Sequence, residues 1–395
     1  MLPYARPSIT EAEIAEVEAC LRSGWLATGP RTARFEADLS ARMGGLRVLG
    51  TCSGTAALHL ALAAHGVGPG DEVITTPMTW VSTANVILHV GARPVFVDIE
   101  PGTLNLDPKR VAAALTPRTR CLLPVHFAGA PCDLASLEAI AKERGLLLIE
   151  DAAHALGAEF EGRPIGSIGD ATMFSFHPVK NITTGEGGAL AIRDPQVAER
   201  AACLRYHGIA QDAGARTAGR GPASYEVVEA GFKYAMSDLQ AALGLVQLAR
   251  LDEMNQRRQQ LAGLYARRLA ALPGVEMLGV PAQSHRHAWH LMVVRLPVER
   301  LRVDRDGFVA RLREAGIGAG VHFVPLHLQP LYRPMSPPPE DLRHATDAHR
   351  RIVSLPLFPD MRDEDVDHVV DVLAATLRSE ERVSVRAVAT EAASA

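Results

Sequence analysis

The chain has 395 residues, 47% of them hydrophobic and 22% charged, with 41 basic against 45 acidic side chains and a formal net charge of −4. That length allows one large domain and a smaller one, each with a core of its own. The acidic balance argues against nonspecific nucleic-acid binding, which needs a surplus of Lys and Arg to displace counterions.

The opening segment reads as an amphipathic helix. Thr10 stands at the N-cap position, Glu13 lies three residues on, and Ile14, Val17 and Leu21 recur at helical spacing. It lacks a basic start followed by an unbroken apolar stretch, so it does not read as a secretion signal. No run of 18 apolar residues occurs, and no membrane span is expected. The five cysteines (Cys20, Cys52, Cys121, Cys132, Cys203) are odd in number and show no C-x-x-C spacing. They read as free thiols of a reducing compartment, and the chain is expected to be cytoplasmic.

From about residue 46 to 195, short apolar runs alternate with helix-like stretches. The runs are Glu72–Thr76, Pro94–Asp98, Cys121–Val125 and Leu146–Ile149, set among the stretches 55–65, 80–90, 108–115 and 133–144. Strands that are apolar throughout, each followed by a helix, predict a mainly parallel sheet covered on both faces. Ala171–Phe176 and Gly188–Ile192, joined through the Gly-rich turn Thr184–Gly188, read as further strands of that sheet. A helical pattern then fills 237–271, capped by Ser237 or Asp238 and ended by Leu272-Pro273-Gly274. A strand (Trp289–Leu296), a helix (Asp304–Ala315), another strand and a helix (Asp363–Leu377) suit a smaller α+β unit. The expected organisation is an N-terminal helix and large domain over 1–250, a small domain over 251–378, and a disordered tail over 379–395.

Open parallel sheets bind ligands beyond the carboxyl ends of their strands, so the residues after each strand carry the functional reading. After the first come Ser53, Gly54 and Thr55, which open a helix and offer backbone N–H and hydroxyl donors to an anion. A capped helix start with no ligand would look the same. After Leu146–Ile149 comes Glu150-Asp151-Ala152-Ala153-His154. Asp151 could cap a helix, or pair with a protonated heterocyclic nitrogen with His154 as a nearby donor. After Ala171–Phe176 comes Lys180, between an apolar strand and a Gly-rich turn and so directed at the crevice. A desolvated Lys has a lowered pKa and attacks aldehydes. A phosphate site, an acid for a pyridine nitrogen and an aldehyde-binding lysine are the three handles of pyridoxal phosphate. Asp151 would keep the ring nitrogen protonated. Lys180 would hold the aldehyde and, once released, move a proton between substrate and cofactor carbons. Trp80, opening the next helix, could cover the ring face.

The chain resembles the DegT/DnrJ/EryC1/StrS sugar aminotransferases of fold type I. The matching segments are Ser23-Gly24-Trp25 with Thr28-Gly29-Pro30, Ser53–Leu58, Glu150–His154, Phe174–His177 leading to Lys180, Gly231–Tyr234 with Ser237–Ala242, and Pro325-Leu326-His327. Within the family, Thr79–Thr83, Pro124–Pro131, Ser175-Phe176-His177 with Lys180–Thr183, His287–His290 and Ser354–Met361 resemble members that aminate UDP-4-keto-pentoses, the UDP-4-amino-4-deoxy-L-arabinose type. The resemblance implies a large domain with a mainly parallel sheet flanked by helices, plus a smaller α+β C-terminal domain. It implies pyridoxal 5′-phosphate as cofactor, Lys180 as the Schiff-base lysine, Asp151 at the pyridine nitrogen and Trp80 on the ring. It places Ser53, Gly54, Thr55 and Ser175 around the phosphate and His154 near the cofactor hydroxyl. Trp25, Thr28, His322 and His327 are implied as contacts of the sugar or its diphosphate. Two positions depart from the family pattern. Ser53 stands where Asn is usual. Lys233 replaces an Asn that reaches the phosphate across a dimer interface, where Lys would act as a point charge.

The implied reaction moves an amino group from L-glutamate, released as 2-oxoglutarate, to a nucleotide-linked keto sugar, in a homodimer with shared active sites. A UDP-4-keto-pentose is the first expectation, and a 4-keto or 3-keto 6-deoxyhexose on dTDP, UDP or GDP the alternative. A pyridoxal-phosphate sugar dehydratase would carry His where Lys180 stands, and a non-catalytic cofactor-binding regulator would not need the full set. His285, His287 and His290, or His322 and His327, have no flanking Cys or carboxylate to complete a metal ligand set, so no metal is expected. Arg250, Arg257 and Arg258 read as the solvated face of the long helix.

Overall fold

The computed structural model describes residues 1–209, 225–281 and 286–382. Two helices, α1 (Glu11–Ser23) and α2 (Pro30–Arg42), precede β1 (Arg47–Thr51). The chain then alternates: α3 (Gly54–Ala64), β2 (Glu72–Thr75), α4 (Val81–His89), β3 (Arg93–Phe96), α5 (Pro108–Ala114), β4 (Thr119–Leu123), α6 (Leu134–Arg144) and β5 (Leu147–Asp151). After a small hairpin of β6 (Glu159–Phe160) and β7 (Arg163–Pro164) come β8 (Ala171–Ser175), β9 (Gly188–Ile192) and α7 (Pro195–Arg205). Seven of these strands form one sheet in the order β1-β9-β8-β5-β4-β2-β3. Within it β9 alone runs against the rest. The mainly parallel sheet flanked by helices is therefore present, with strand limits within a few residues of those predicted.

Both faces are buried, which is why the strands are apolar throughout. Leu148 and Phe174 point to one side, into a cluster with Phe35, Leu39 and Ile74. Their neighbours Ile149 and Met173 point to the other, against Leu58, Val73 and Val86. Each fully buried Leu, Ile or Phe contributes roughly 1.5–3 kcal/mol, so the sheet is a rigid platform for whatever its strand ends carry.

The helix predicted over 237–271 is two helices, α8 (Asp238–Ala249) and α9 (Leu251–Leu269). They meet at Arg250 (φ −97°, ψ 0°), whose guanidinium reaches Glu13 at 2.7 Å. Helical spacing continues on both sides of the joint, so periodicity alone does not reveal it. Beyond α9, β10 (Glu276–Met277), β11 (Met292–Arg295) and β12 (Ile352–Leu355) form an antiparallel sheet. It packs with α10 (Arg305–Glu314), α11 (Arg343–Arg351) and α12 (Asp363–Glu380). Tyr265, Phe308, Leu312, Val353 and Leu373 belong to the core beside it. The last helix runs three residues past the predicted Leu377. The solvated reading of the arginines fails at Arg258, which is 2% exposed. It donates to the carbonyl of Leu357 at 2.9 Å and lies 3.4 Å from those of Trp289 and His290. It thus ties α9 to the segment before β11, which carries His290 of the site.

The N-terminal helix is locked on by a buried carboxylate. Thr10 and Glu13 form the predicted capping box. Glu13 also accepts from Gln247 and Arg250, each at 2.7 Å. Burial pushes this carboxyl up, but the bonds from Thr10, Arg250 and Gln247 outweigh it and hold the folded pKa near about 2. A folded pKa below the unfolded one gives stability that is complete above the ordinary carboxylate range and lost as pH falls towards about 2. The destabilisation caused by Glu13→Gln, read from urea midpoints, should therefore be larger at about pH 6 than at about pH 3.

Candidate active site

The carboxyl ends of β1, β2, β4, β5 and β8 lie on one edge of the sheet. The segments leaving them line a cavity of about 390 Å³. Ser53, Gly54 and Thr55 enter it after β1, Thr79 and Trp80 after β2, and Val125 after β4. Asp151, Ala153 and His154 enter after β5, and Ser175 and Lys180 from β8 and its following turn. Tyr4, His290, His322 and Phe323 close the opposite wall. Eight predicted cofactor residues (Ser53, Gly54, Thr55, Trp80, Asp151, His154, Ser175, Lys180) thus meet in one space, with His322 facing them.

Lys180 sits in a turn held from three sides. Its N–H donates to His177 O at 2.8 Å. The next residue, Asn181, is buried and donates to Asn255 Oδ1 and Ala288 O, both at 2.7 Å. Thr183 returns its hydroxyl to Phe176 O. The ammonium is desolvated, which lowers its pKa to about 8 against a partial restoring effect of Asp151. Asp151 shows the mirror case. Burial raises its pKa, and the Thr83 hydroxyl, the Ala153 N–H, Lys180 and His126 oppose the rise. No helix follows Asp151, so it is not a helix cap.

Three imidazoles stand near these charges without an acidic partner. The rings of His154 and His290 lie 4.3 Å apart, and His154 stacks on Phe323 at 5.9 Å. Nδ1 of both histidines is buried and unpaired. Burial, then neighbouring positive groups, drives both pKa values well down. His322, bonded to Ser354 Oγ at 2.8 Å, falls to about 4 through burial and Lys180. All three are neutral at physiological pH. Gly129 makes this wall possible. At φ +98° it passes so close that a Cβ would lie 2.9 Å from His154 O and 3.0 Å from His290 N.

At the other end, the start of α3, at Gly54 and Thr55, faces the cavity, and a helix start suits an anion. Ser53 caps this helix, its Oγ accepting Ala56 N–H at 3.1 Å. Gly54 packs so closely on β8 that a Cβ would sit 2.9 Å from the Ser175 Cβ. Trp80, N-cap of α4, is 60% exposed at the cavity mouth. An exposed indole over a pocket is an apolar face awaiting a ring.

The remaining predicted contacts lie elsewhere in this chain. Thr28 donates to Met236 O at 2.6 Å and lines a separate groove. Trp25 lies beside Gly29, near the buried Asp238 carboxylate that caps α2. Lys233 Nζ sits over the Tyr206 ring at 4.1 Å. His327 is buried against Thr346 Oγ1 at 2.9 Å. His285 lies outside the described residues. His287 stacks on Trp289 at 4.0 Å. Among the described residues no three metal-binding side chains converge. Sequence reasoning missed Tyr4, Thr83 and Phe323 and left His290 without a place. Thr79 and Thr83 had one available signal, their i, i+4 spacing on either side of Trp80.

The donor set fits pyridoxal phosphate. A helix start and hydroxyls suit its phosphate, a buried carboxylate its ring nitrogen, and a depressed lysine its aldehyde. His154, with Nδ1 unpaired, lines the same cavity. The comparisons agree. The chain matches the DegT/DnrJ/EryC1/StrS aminotransferase family over residues 7–374. It is 46% identical over 374 residues to the spore coat polysaccharide biosynthesis protein SpsC of Bacillus subtilis (strain 168), covering 94% of this chain and 96% of that one. Spr1654 of Streptococcus pneumoniae, described as a sugar aminotransferase and solved in its PMP form, superposes with a TM-score of 0.89 at 34% identity, covering 96% of this chain and 100% of that one. The aminotransferase TlmJ of Streptoalloteichus hindustanus gives 0.88 at 35% identity, covering 96% and 99%.

The position of the Lys180 pKa has a kinetic consequence. Only the neutral amine captures an aldehyde, so the rate at which cofactor-free protein takes up pyridoxal phosphate should climb with pH through about 8. Stopped-flow absorbance measures this. A rate already flat at about pH 6 would show that Lys180 is not the capturing amine.

Proposed function

The chain belongs to the DegT/DnrJ/EryC1/StrS aminotransferase family, and on that footing we propose that it moves an amino group from L-glutamate to a nucleotide-linked keto sugar in the cytoplasm. It is a pyridoxal-phosphate-dependent sugar aminotransferase. The observation that carries the finer reading is the meeting of Lys180 and Asp151 in one cavity with the α3 start and Trp80.

Bound there, pyridoxal phosphate supplies an aldehyde to hold the amine and a ring that accepts electrons from the substrate carbon. The chain's residues do the rest. Asp151, ionised, holds a proton on the ring nitrogen. Trp80 covers one ring face and excludes water from it. Ser53, Gly54, Thr55 and Ser175 receive the phosphate, and His154, neutral, contacts the ring hydroxyl. Lys180, once free of the aldehyde, takes a proton from the substrate carbon and returns it one atom away. Its lowered pKa suits that exchange near neutrality. His322 and Tyr4 are placed to meet the sugar.

A cavity of about 390 Å³ is near the lower end of ligand pockets, which run roughly 300–1,000 Å³. The cofactor and one sugar ring would fill it, leaving the nucleotide outside. Trp25, Thr28 and Lys233 do not reach their own cavity. Ile14, Leu21, Leu26, Val227 and Val228 are exposed. These features support a homodimer in which Lys233 approaches the partner's phosphate site. The preferred sugar is a UDP-4-keto-pentose. The likeness to a spore coat polysaccharide protein favours a polysaccharide precursor as product, and keeps the 6-deoxyhexoses as the second reading.

Adding L-glutamate to the holoenzyme should replace the visible cofactor band by that of the aminated cofactor, and the right keto sugar should restore it. Lys180→Ala should lower this turnover by roughly 10⁴-fold or more while still binding cofactor noncovalently. Retention of the visible band in glutamate would leave the donor assignment wrong. Mixing Lys180→Ala with Lys233→Ala subunits tests the shared site. Since Lys233 serves the neighbour's lysine, a mixed dimer has one site carrying both defects and one carrying neither. Activity should therefore reappear on mixing, and its absence in confirmed mixed dimers would argue for self-contained sites.

A further inference from the structure

Asp151 is held at both oxygens. Oδ1 accepts the Ala153 N–H at 3.1 Å, and Oδ2 accepts the Thr83 hydroxyl at 2.7 Å. Thr83 Oγ1 also lies 2.8 Å from Thr79 Oγ1. A threonine has one hydroxyl proton, and that of Thr83 is engaged by the carboxylate. Thr79 must therefore be the donor to Thr83. The result is a directed chain, Thr79 to Thr83 to Asp151, with all three residues buried. Such a chain polarises each bond in turn and favours negative charge at its end.

We propose that Thr83, braced by Thr79, is the positioning residue that keeps the Asp151 carboxylate ionised and aimed into the cavity. This rests on the reading of Asp151 as partner of the cofactor's ring nitrogen. The Ala153 N–H assists at a longer 3.1 Å, and the other neighbours do less. Lys180 is taken up by the aldehyde when cofactor is bound. His126 is committed elsewhere, with Nδ1 accepting Cys132 N–H at 3.1 Å and Nε2 on Glu150 at 2.8 Å. His154, His290 and His322 are neutral, so they add no charge. Meanwhile burial drives Asp151 towards its acid form. The Thr83 bond is the short, fully buried interaction that opposes this in every state of the cycle. Thr83 is also the third residue of α4, so the positive end of that helix lies at the same carboxylate. The turn that supports the acid is the turn that presents Trp80.

The test compares Thr83→Val, which keeps the shape and loses the donor, with Thr83→Ser, which keeps the donor, and with Asp151→Asn. The first readout is the pH midpoint of the visible absorption of cofactor bound at Lys180. A protonated Asp151 no longer holds the ring-nitrogen proton, the ring withdraws fewer electrons, and the nitrogen joined to Lys180 becomes more basic. Thr83→Val should therefore raise the midpoint by about one unit. It should also slow the half-reaction with L-glutamate by roughly 10- to 100-fold, with the glutamate KM within about threefold of the parent. Thr83→Ser should stay near the parent in both. The second readout needs no cofactor: a ¹³C-carboxyl titration of the apoprotein, with Asp151 assigned by its loss in Asp151→Asn, should rise in Thr83→Val and not in Thr83→Ser. If Asp151→Asn moves the midpoint and Thr83→Val does not, Thr83 is packing only and the proposal is overturned. If Asp151→Asn moves nothing, the reading of Asp151 itself falls, and the proposal with it. Should Thr83→Val not fold, Thr79→Val carries the same test, with a smaller shift of the same sign.

Discussion

A buried carboxylate and a desolvated amine in one cavity pull each other's protonation in opposite directions from the pull of burial itself. At Asp151 burial favours the acid, at Lys180 it favours the free base, and each charge partly restores the other. These opposed effects bring the Lys180 amine down to about 8, near the pH at which it must gain and lose a proton. The rest of the molecule serves that balance. The seven-stranded sheet brings the two residues together from adjacent strands, β5 and β8, paired in register at Asp151 and Met173. Apolar burial on both sheet faces makes the placement rigid, so the distance between the groups does not relax when one of them changes charge.

The histidine wall follows from the same constraint. A single protonated imidazole beside Lys180 would repel its ammonium and compete for Asp151. Burial without a carboxylate partner keeps His154, His290 and His322 neutral. The wall can then be polar without being charged. His126, which does have a carboxylate, is turned away: Glu150 engages it from the opposite face of β5, where Thr172 and Gly169 also bind Glu150. Adjacent acids on one strand thus serve different sides of the sheet. Glu150 satisfies the interior and Asp151 is left for the cavity.

The parallel sheet, the long α/β run and the residues at strand ends were legible in the sequence because each is local. An apolar run, a cap and a turn are written in consecutive residues. Lys180, Asp151 and the Ser53–Thr55 segment could be assigned to a common edge by topology alone. What was not legible depends on side chains meeting from distant segments. Tyr4 and Phe323 reach the cavity from opposite ends of the chain. The role of Thr83 becomes visible only once the start of α4 meets the end of β5. Arg258 shows the converse failure. Its helical position and its neighbours suggest a wet face, yet backbone carbonyls from residues 289, 290 and 357 capture it. A buried cation held by carbonyls rather than by an acid leaves no sequence pattern to find. The joint at Arg250 escaped for a related reason, because helical spacing runs through it and the partner of its guanidinium, Glu13, lies more than two hundred residues away.

The partition of residues between cavity and surface bears on how one site handles two unlike substrates. The residues proposed to hold the cofactor come from strand ends and are fixed by the sheet. The opposite wall, proposed to meet the sugar, comes from the N-terminal segment and from 321–323, which lies beside the second sheet. Gly320 pairs with Ser354 of β12, and Leu2 with Ile317. His322 is itself tied to Ser354. The sugar side of the site therefore rests on a different framework from the chemical side. Changes in that framework can alter which sugar fits without disturbing the Asp151–Lys180 balance. Thr83 belongs wholly to the chemical side, so its hydroxyl should matter equally for the amino donor and for the acceptor, whereas His322 and Tyr4 should distinguish between them. A site built this way separates the question of what is aminated from the question of how.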